Sequence, residues 1–359
     1  MRFALTDEQE MLRDSVRGAL ARDLPLSVVR ASPDAPAAAR ALATAQGWPG
    51  IGVSEDAGGQ GGDVVELAIL AEELGRGAIP TSLLIASALA ARALAGGGDH
   101  GAALVAELAA GSLAVIPLID AGDARRGSVR QDGARATGAV GHVLAAPQAD
   151  ILLVSGDDGL RVIKVSEPGC TVIARDLVDA GRTIGDVVLE DVEASWLGTS
   201  WDVTALTDLG AVLVSAEAVG AAARALELTV DYVTQREQFG VRVGSFQAVK
   251  HAAADMLVEV ETARSAVYYA AWALGAGDLA AVRAVCIAKS FAVPAASRVT
   301  DTALALHGAV GFTWEHDLHL FLKRAHSARA LFGSASAHRT RLAAQLDLTG
   351  AQPGLASVA

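Results

Sequence analysis

The chain has 359 residues, too many for one small domain, so two or three units are expected. Hydrophobic residues make up 52% and the mean hydropathy is +0.37, which excludes global disorder. The net charge of −12 and pI of about 5.1 speak against nucleic acid as the main partner, though not against a basic pocket for one anionic cofactor.

Thr6 and Gln9 fit a capping box that opens a helix, with Leu12, Val16 and Leu20 at helical spacing. The stretch before it turns acidic at once and shows no apolar signal-peptide core. Residues 35–46 are alanine-rich and helical. The glycine-rich run 47–62 lacks the lysine of a phosphate loop and the dinucleotide fingerprint, so tightly packed irregular backbone is expected there. Asp63 to Arg76 returns to helix, and Leu83 to Leu94 is too short to span a membrane and reads as a buried helix. From Leu113 the texture becomes β. Runs at 113–119, 127–131, 150–155, 160–165, 171–174 and 185–192 are separated by turn signals such as Asp132-Gly133 and Asp158-Gly159. After Trp201 the pattern is helical again, with candidate helices at about 203–238, 245–275, 278–306 and 316–346. Helices this apolar read as a bundle whose outer faces are also covered, as in an oligomer. The expected division is 1–112 helical, 113–200 β, 201–346 a four-helix unit, and 347–359 a loose tail.

Most of the functional signal lies in 232–251. Gly240 stands where a helix C-terminus favours positive φ, and Ser245 where the next helix needs an N-cap. The joint between the two helices carries Arg236, Gln238 and Gln247, a fixed cation and two amides suited to gripping a phosphate. The same residues also read as a solvated corner, with Phe239 and Phe246 in the core. Cys170 and Cys286 are far apart, without metal-ligand spacing, which favours a reducing, cytoplasmic setting.

The order of the units and five motifs resemble the acyl-CoA dehydrogenase family over nearly the whole chain. They are Leu5-Thr6-Asp7-Glu8-Gln9, Gly58-Gly59-Gln60-Gly61, Glu72-Glu73-Leu74-Gly75-Arg76, Arg236-Glu237-Gln238-Phe239-Gly240 with Phe246-Gln247, and the run from Leu306 to Phe312. The resemblance implies a mainly α fold with a β insert, FAD as cofactor, and α,β-dehydrogenation of an acyl-CoA with electrons passed to an electron-transferring flavoprotein. It assigns Arg236, Gln238, Phe239, Phe246 and Gln247 to one FAD segment. His307, Gly308 and Gly311 belong to a second, which reaches a neighbouring subunit's cofactor. The run from Gly311 to Arg324 resembles the actinobacterial branch that acts on steroid side-chain and other bulky CoA thioesters, often as α2β2 tetramers of unlike subunits. His316 and His319 have the spacing of a metal pair, but there is no third ligand nearby and no metal is expected.

Two departures bear on catalysis. The family's catalytic glutamate occupies one of two positions, matched here by Phe332 and Gly210, and neither residue can take a proton. Asp208 lies ~160° around the helix from position 210, and Glu217 ~20° from that direction but nearly two turns further along. The segments that usually seat the flavin ring also differ, reading Val115 to Asp120 and Gly141 to Pro147 here. Three accounts follow: a base-lacking subunit of a heteromer, a homo-oligomer with a relocated base (Asp208, Glu217 or a residue in 315–319), and a non-catalytic CoA-ester binder or scaffold.

Overall fold

A computed structural model describes residues 4–345 except 32–33, 96, 123–124, 127, 156–158 and 199–200; the expected tail lies outside them. Six helices come first: α1 (Asp7–Asp23), α2 (Leu26–Ala31), α3 (Ala35–Ala45), α4 (Val64–Arg76), α5 (Ser82–Leu94) and α6 (Gly98–Ala109). The capping box at Thr6 and Gln9 is formed, each residue bonding the other's backbone N–H. In the glycine-rich loop a Cβ at Gly59 would lie 2.2 Å from the Val53 carbonyl oxygen, so close backbone packing explains that glycine.

The β part contains β1 (Val115–Pro117), β2 (Ile119–Asp120), β3 (Arg125–Arg126), β4 (Ser128–Asp132), β5 (Arg135–Leu144), β6 (Ile151–Ser155), β7 (Leu160–Lys164), β8 (Cys170–Ala174), β9 (Ile184–Glu193) and β10 (Ser195–Gly198). One sheet has the order β1-β6-β7-β10, with β1 and β6 parallel. The other runs β3-β2-β5-β9-β8, with β4 added to β5. Strand β6 is buried on both faces by alternation. Ile151 and Leu153 pack toward α5 and α6, while Leu152 and Val154 pack into the space between the sheets. Strands β3, β5 and β10 lie outside the expected runs. Glycines at 138 and 141 blur the alternation of β5, and its register shifts between Val140 and Val143.

The C-terminal part is α7 (Val203–Gln235), a two-strand hairpin of β11 (Glu237–Gln238) and β12 (Val241–Arg242), then α8 (Gln247–Gly275), α9 (Ala281–His307), α10 (Leu318–Ser327) and α11 (Ala335–Gln345). Helix α7 is long and apolar enough to cross a membrane, yet 94% of its most apolar window is buried inside the protein. A helix apolar all round belongs in a core. Gly75 and Gly220 bring α4 and α7 together: a Cβ at Gly75 would lie 2.1 Å from the Glu217 carbonyl oxygen, and one at Gly220 1.9 Å from that of Glu72. The Glu72 to Arg76 run is therefore a structural node. Glu72 accepts from Arg264 and Tyr268, Glu73 from Arg17, and Arg76 donates to Glu227.

Three expectations are corrected. The helix expected at 316–346 is two helices, because Phe332 (φ +53°) and Gly333 (φ +88°) turn the chain out of helical geometry. Gly240 does not end α7. It is the second turn residue of the hairpin, where Phe239 and Gly240 both have positive φ, as a tight two-residue turn requires. Ser245 does not cap α8: its hydroxyl donates to the Arg242 carbonyl at 2.6 Å, and Phe246 holds the cap position.

Candidate functional site

The hairpin at 236–242 stands out from the bundle. Arg236, Gln238, Phe239, Phe246 and Gln247 are all exposed in the single chain, Phe239 at 93%. Phe239 and Phe246 meet edge to face, their centroids 6.4 Å apart, so neither belongs to the core. The Arg236 guanidinium has no hydrogen bond or ion pair among the described residues. The Gln238 amide donates to the neighbouring Glu237 carbonyl at 2.7 Å.

One turn before Arg236, Tyr232 stacks on His307 at 4.5 Å, which brings the two sequence-identified segments together. His307 is buried. Its Nδ1–H donates to the Ala303 carbonyl at 2.8 Å, leaving a bare Nε2 with no partner among the described residues. Burial pulls its pKa down, so the ring is neutral near pH 7. Gly308 (φ +65°) ends α9, and Gly311 lies buried in the following short helix. His316 meets His307 edge-on at 4.6 Å, whereas His319 meets Trp314 at 4.5 Å. No group of three metal-ligating side chains is present among the described residues.

Positions 210 and 332, distant in sequence, meet in space. The Phe332 ring covers Gly210, where a Cβ would lie 2.6 Å from the ring carbons. Phe332 is 1% exposed. Its N–H donates to the Ala121 carbonyl at 2.5 Å, and its carbonyl accepts from His338 at 2.9 Å. Asp208 is held by both ends of the Arg341 guanidinium. Glu217 is fully buried; it accepts from Arg182 and Thr81, and from Arg324 at 2.8 Å. Both carboxylates are thus already engaged by cationic partners.

Glu217 belongs to a network that joins all three parts of the chain. Arg324 donates to Asp179 at 2.7 Å and to the carbonyls of Ile79 and Ala78. Ser327 donates to Asp179 at 2.9 Å, and Arg182 to Thr81 at 3.2 Å. Burial opposes ionisation of Asp179, but Arg324 and Arg182 outweigh it and hold the carboxyl below its usual range. Nearby, Lys289 is 1% exposed, and its amine donates to the Ala328 carbonyl at 2.8 Å. Burial, with Arg182 adding to it, pulls the amine down to about 7. The sequence reading missed Asp179, Arg182, Lys289 and His338. The one local signal was a lysine on the otherwise apolar face of α9.

Next to this network is a cavity of about 610 Å³ with mostly apolar walls, including Leu177, Val178, Ile184 and Leu331. His142 and Gly122 line it from the β part, and Asp301, Lys323 and His326 from the helices. His142 falls within the segment expected to depart from the family's ring-seating strand, and Ala330 and Leu331 lead directly into Phe332. The His326 ring lies 2.9 Å from Asp301 through Nε2. An apolar cavity of this size with a few polar groups suits a planar ring or an acyl group.

The comparisons agree with this architecture. The profile of the acyl-CoA dehydrogenase N-terminal domain matches residues 6–111, and that of the C-terminal domain matches 198–346. Acyl-CoA dehydrogenase IpdE2 of Mycolicibacterium smegmatis is 31% identical over 350 residues, covering 95% of this chain and 100% of that one. Acyl-CoA dehydrogenase FadE34 of Mycobacterium tuberculosis is 31% identical over 353 residues, 95% of this chain but 48% of that protein. The ChsE4-ChsE5 complex from Mycobacterium tuberculosis superposes with a TM-score of 0.85 at 25% identity, covering 98% of this chain and 100% of that one. The chain therefore belongs to the acyl-CoA dehydrogenase family, oxidoreductases that act on CH–CH groups.

Proposed function

We propose that this chain is the base-lacking subunit of a heteromeric, FAD-dependent acyl-CoA dehydrogenase acting on a bulky thioester such as a steroid side-chain acyl-CoA. One observation carries the reading. Phe332 packs directly on Gly210, and these are the two positions that the sequence resemblance matches to the family's glutamate. The two carboxylates weighed on α7, Asp208 and Glu217, are already engaged by arginines. The similarity to the ChsE4-ChsE5 complex, solved with two differently named chains, supports a second dehydrogenase-like subunit. That partner supplies the glutamate in a cytoplasmic tetramer, and electrons leave through an electron-transferring flavoprotein.

The residues present fit FAD in three respects. Arg236 offers an unpartnered guanidinium for a phosphate, with Gln238, Gln247, Phe239 and Phe246 around it. His307, flanked by Gly308 and Gly311, offers a bare buried Nε2 that can accept a hydrogen bond. The cavity beside Leu331 and His142 offers apolar walls for a ring. When bound, FAD accepts the β-hydride of the thioester. This chain's own work is binding and exclusion of water: the aromatic pair covers one end, and the apolar walls at Leu177, Val178, Ile184 and Leu331 line the other.

A second reading, a self-sufficient flavoenzyme, draws on the His326–Asp301 pair at the cavity rim, since a carboxylate-oriented imidazole can act as a base. Purification of the chain alone and together with a second dehydrogenase-like chain separates the two. A yellow homo-oligomer that bleaches on adding an acyl-CoA overturns the first reading. Flavin retained only on co-expression supports it.

A further inference from the structure

We propose that a separate cavity, at the junction of the N-terminal helices with α7 and α8, binds a long apolar carboxylate of the fatty-acid class. The cavity has a volume of about 320 Å³ and shares no lining residue with the one beside Leu331 and His142. Its walls include Leu67 of α4, Ala88 and Ala91 of α5, Ala102 of α6, and Ala205 and Leu209 of α7. Four alanines from three helices face one space, where close packing would call for large side chains. The space is a cleft open on one side to solvent, and its volume falls within the range of small-ligand sites.

The rim supplies the polarity. Arg92 lines the cavity, is exposed, and has no hydrogen bond or ion pair among the described residues. This occurs in a chain where Asp and Glu outnumber Lys and Arg by 41 to 29 and many other arginines are paired. A free guanidinium over apolar walls matches a carboxylate head with a hydrocarbon tail, because the planar fork can donate two parallel bonds to the two oxygens. Asp63, the acid on the rim, is committed elsewhere. It caps α4, and its carboxylate crowds Gly275, where a Cβ would come within 2.5 Å. Leu209 precedes Gly210, so an occupant bears on the turn of α7 that carries the Phe332 contact.

Titration calorimetry of decanoate into the purified full-length protein, with its partner chain if one is needed for solubility, tests the site. One saturable site per chain is expected. Arg92→Ala should weaken it about tenfold, a loss of about 1.4 kcal/mol, and Ala91→Phe, which fills the cavity, should abolish it. FAD absorbance should be unchanged in both variants, which separates this site from the cofactor reading. The proposal is overturned by no saturable heat up to about 1 mM, by equal binding in Arg92→Ala, or by decanol binding as tightly as decanoate. Arg92 is on the surface, so its variant and the decanol comparison decide the matter even if Ala91→Phe fails to fold.

Discussion

Arg324→Met tests whether the buried ionic network holds the three parts of the chain together. The guanidinium makes four bonds: to Asp179 at 2.7 Å, Glu217 at 2.8 Å, the Ile79 carbonyl at 2.8 Å and the Ala78 carbonyl at 3.3 Å. Methionine has similar reach and no charge. Asp179 would keep the Ser327 hydroxyl and the Gly181 N–H, with Arg182 3.8 Å away, and Glu217 would keep Arg182 and Thr81. Removing one partner from a buried network leaves charge uncompensated and costs about 3–5 kcal/mol. With a urea m-value of about 3 kcal/mol/M, the unfolding midpoint followed by far-ultraviolet circular dichroism should fall by about 1–1.7 M. Adding Asp179→Asn removes the stranded charge, so the double variant should recover about 1 kcal/mol or more. A single-variant cost under about 1 kcal/mol, or a double variant worse by the sum of the two singles, would refute the reasoning. The acid limb gives a second check. Asp179 is depressed in the folded state, so its contribution is present above the unfolded carboxyl pKa of about 3.9 and is lost as pH falls through the folded value. In Arg324→Met this acid-dependent loss should shrink.

Other outcomes follow from the same geometry. Phe332→Ala should cost about 3–5 kcal/mol by leaving a cavity, and Gly210→Ala about 1–3 kcal/mol by overpacking the ring; in urea unfolding the double variant should cost less than the sum. Lys289 has a folded pKa of about 7 against an unfolded value of about 10.4, so the unfolded chain binds more protons between them. Stability from this group therefore rises with pH across that window. The stability of the natural chain minus that of Lys289→Met should grow between pH 7.5 and 9.5 (by up to about 1.4 kcal/mol per unit), and a flat difference would show the amine to be ordinary. Arg236→Ala should lower the FAD retained through gel filtration, with Arg236→Lys restoring only part of it, because lysine keeps the charge but not the planar fork; unchanged retention in both would remove Arg236 from the cofactor.

What was legible in the sequence was what depends on local periodicity. The capping box at Thr6, the bundle helices and most strands follow from repeats of 3.6 and 2. Strand β5 escaped because two glycines replace side chains that would mark its alternation. The break at Phe332 escaped because positive φ at a phenylalanine is imposed by tertiary bonds to Ala121 and His338, not by its own preference. The joint's residues were legible, but the hairpin was not: Phe239-Gly240 lacks the usual Asn or Asp of such a turn. The meeting of 210 with 332, and of Asp179, Arg182, Glu217 and Arg324, depends on how distant segments pack. No window of sequence holds 210 with 332, or joins Asp179 and Arg182 to Glu217 and Arg324.

The hairpin tip has a consequence for how the chain is made. Phe239 holds a left-handed backbone that costs on the order of 1 kcal/mol and keeps its ring 93% in water. Phe246 and Val241 beside it are exposed as well. Among the described residues nothing covers the tip, so the return comes from whatever does. If the proposed partner subunit is what covers it, a copy made in excess of that partner carries this apolar tip uncovered, open to self-association and to the chaperones and proteases that survey such surfaces. The abundance of this protein should then track the supply of that proposed partner, through clearance of the surplus, even when its own synthesis is constant.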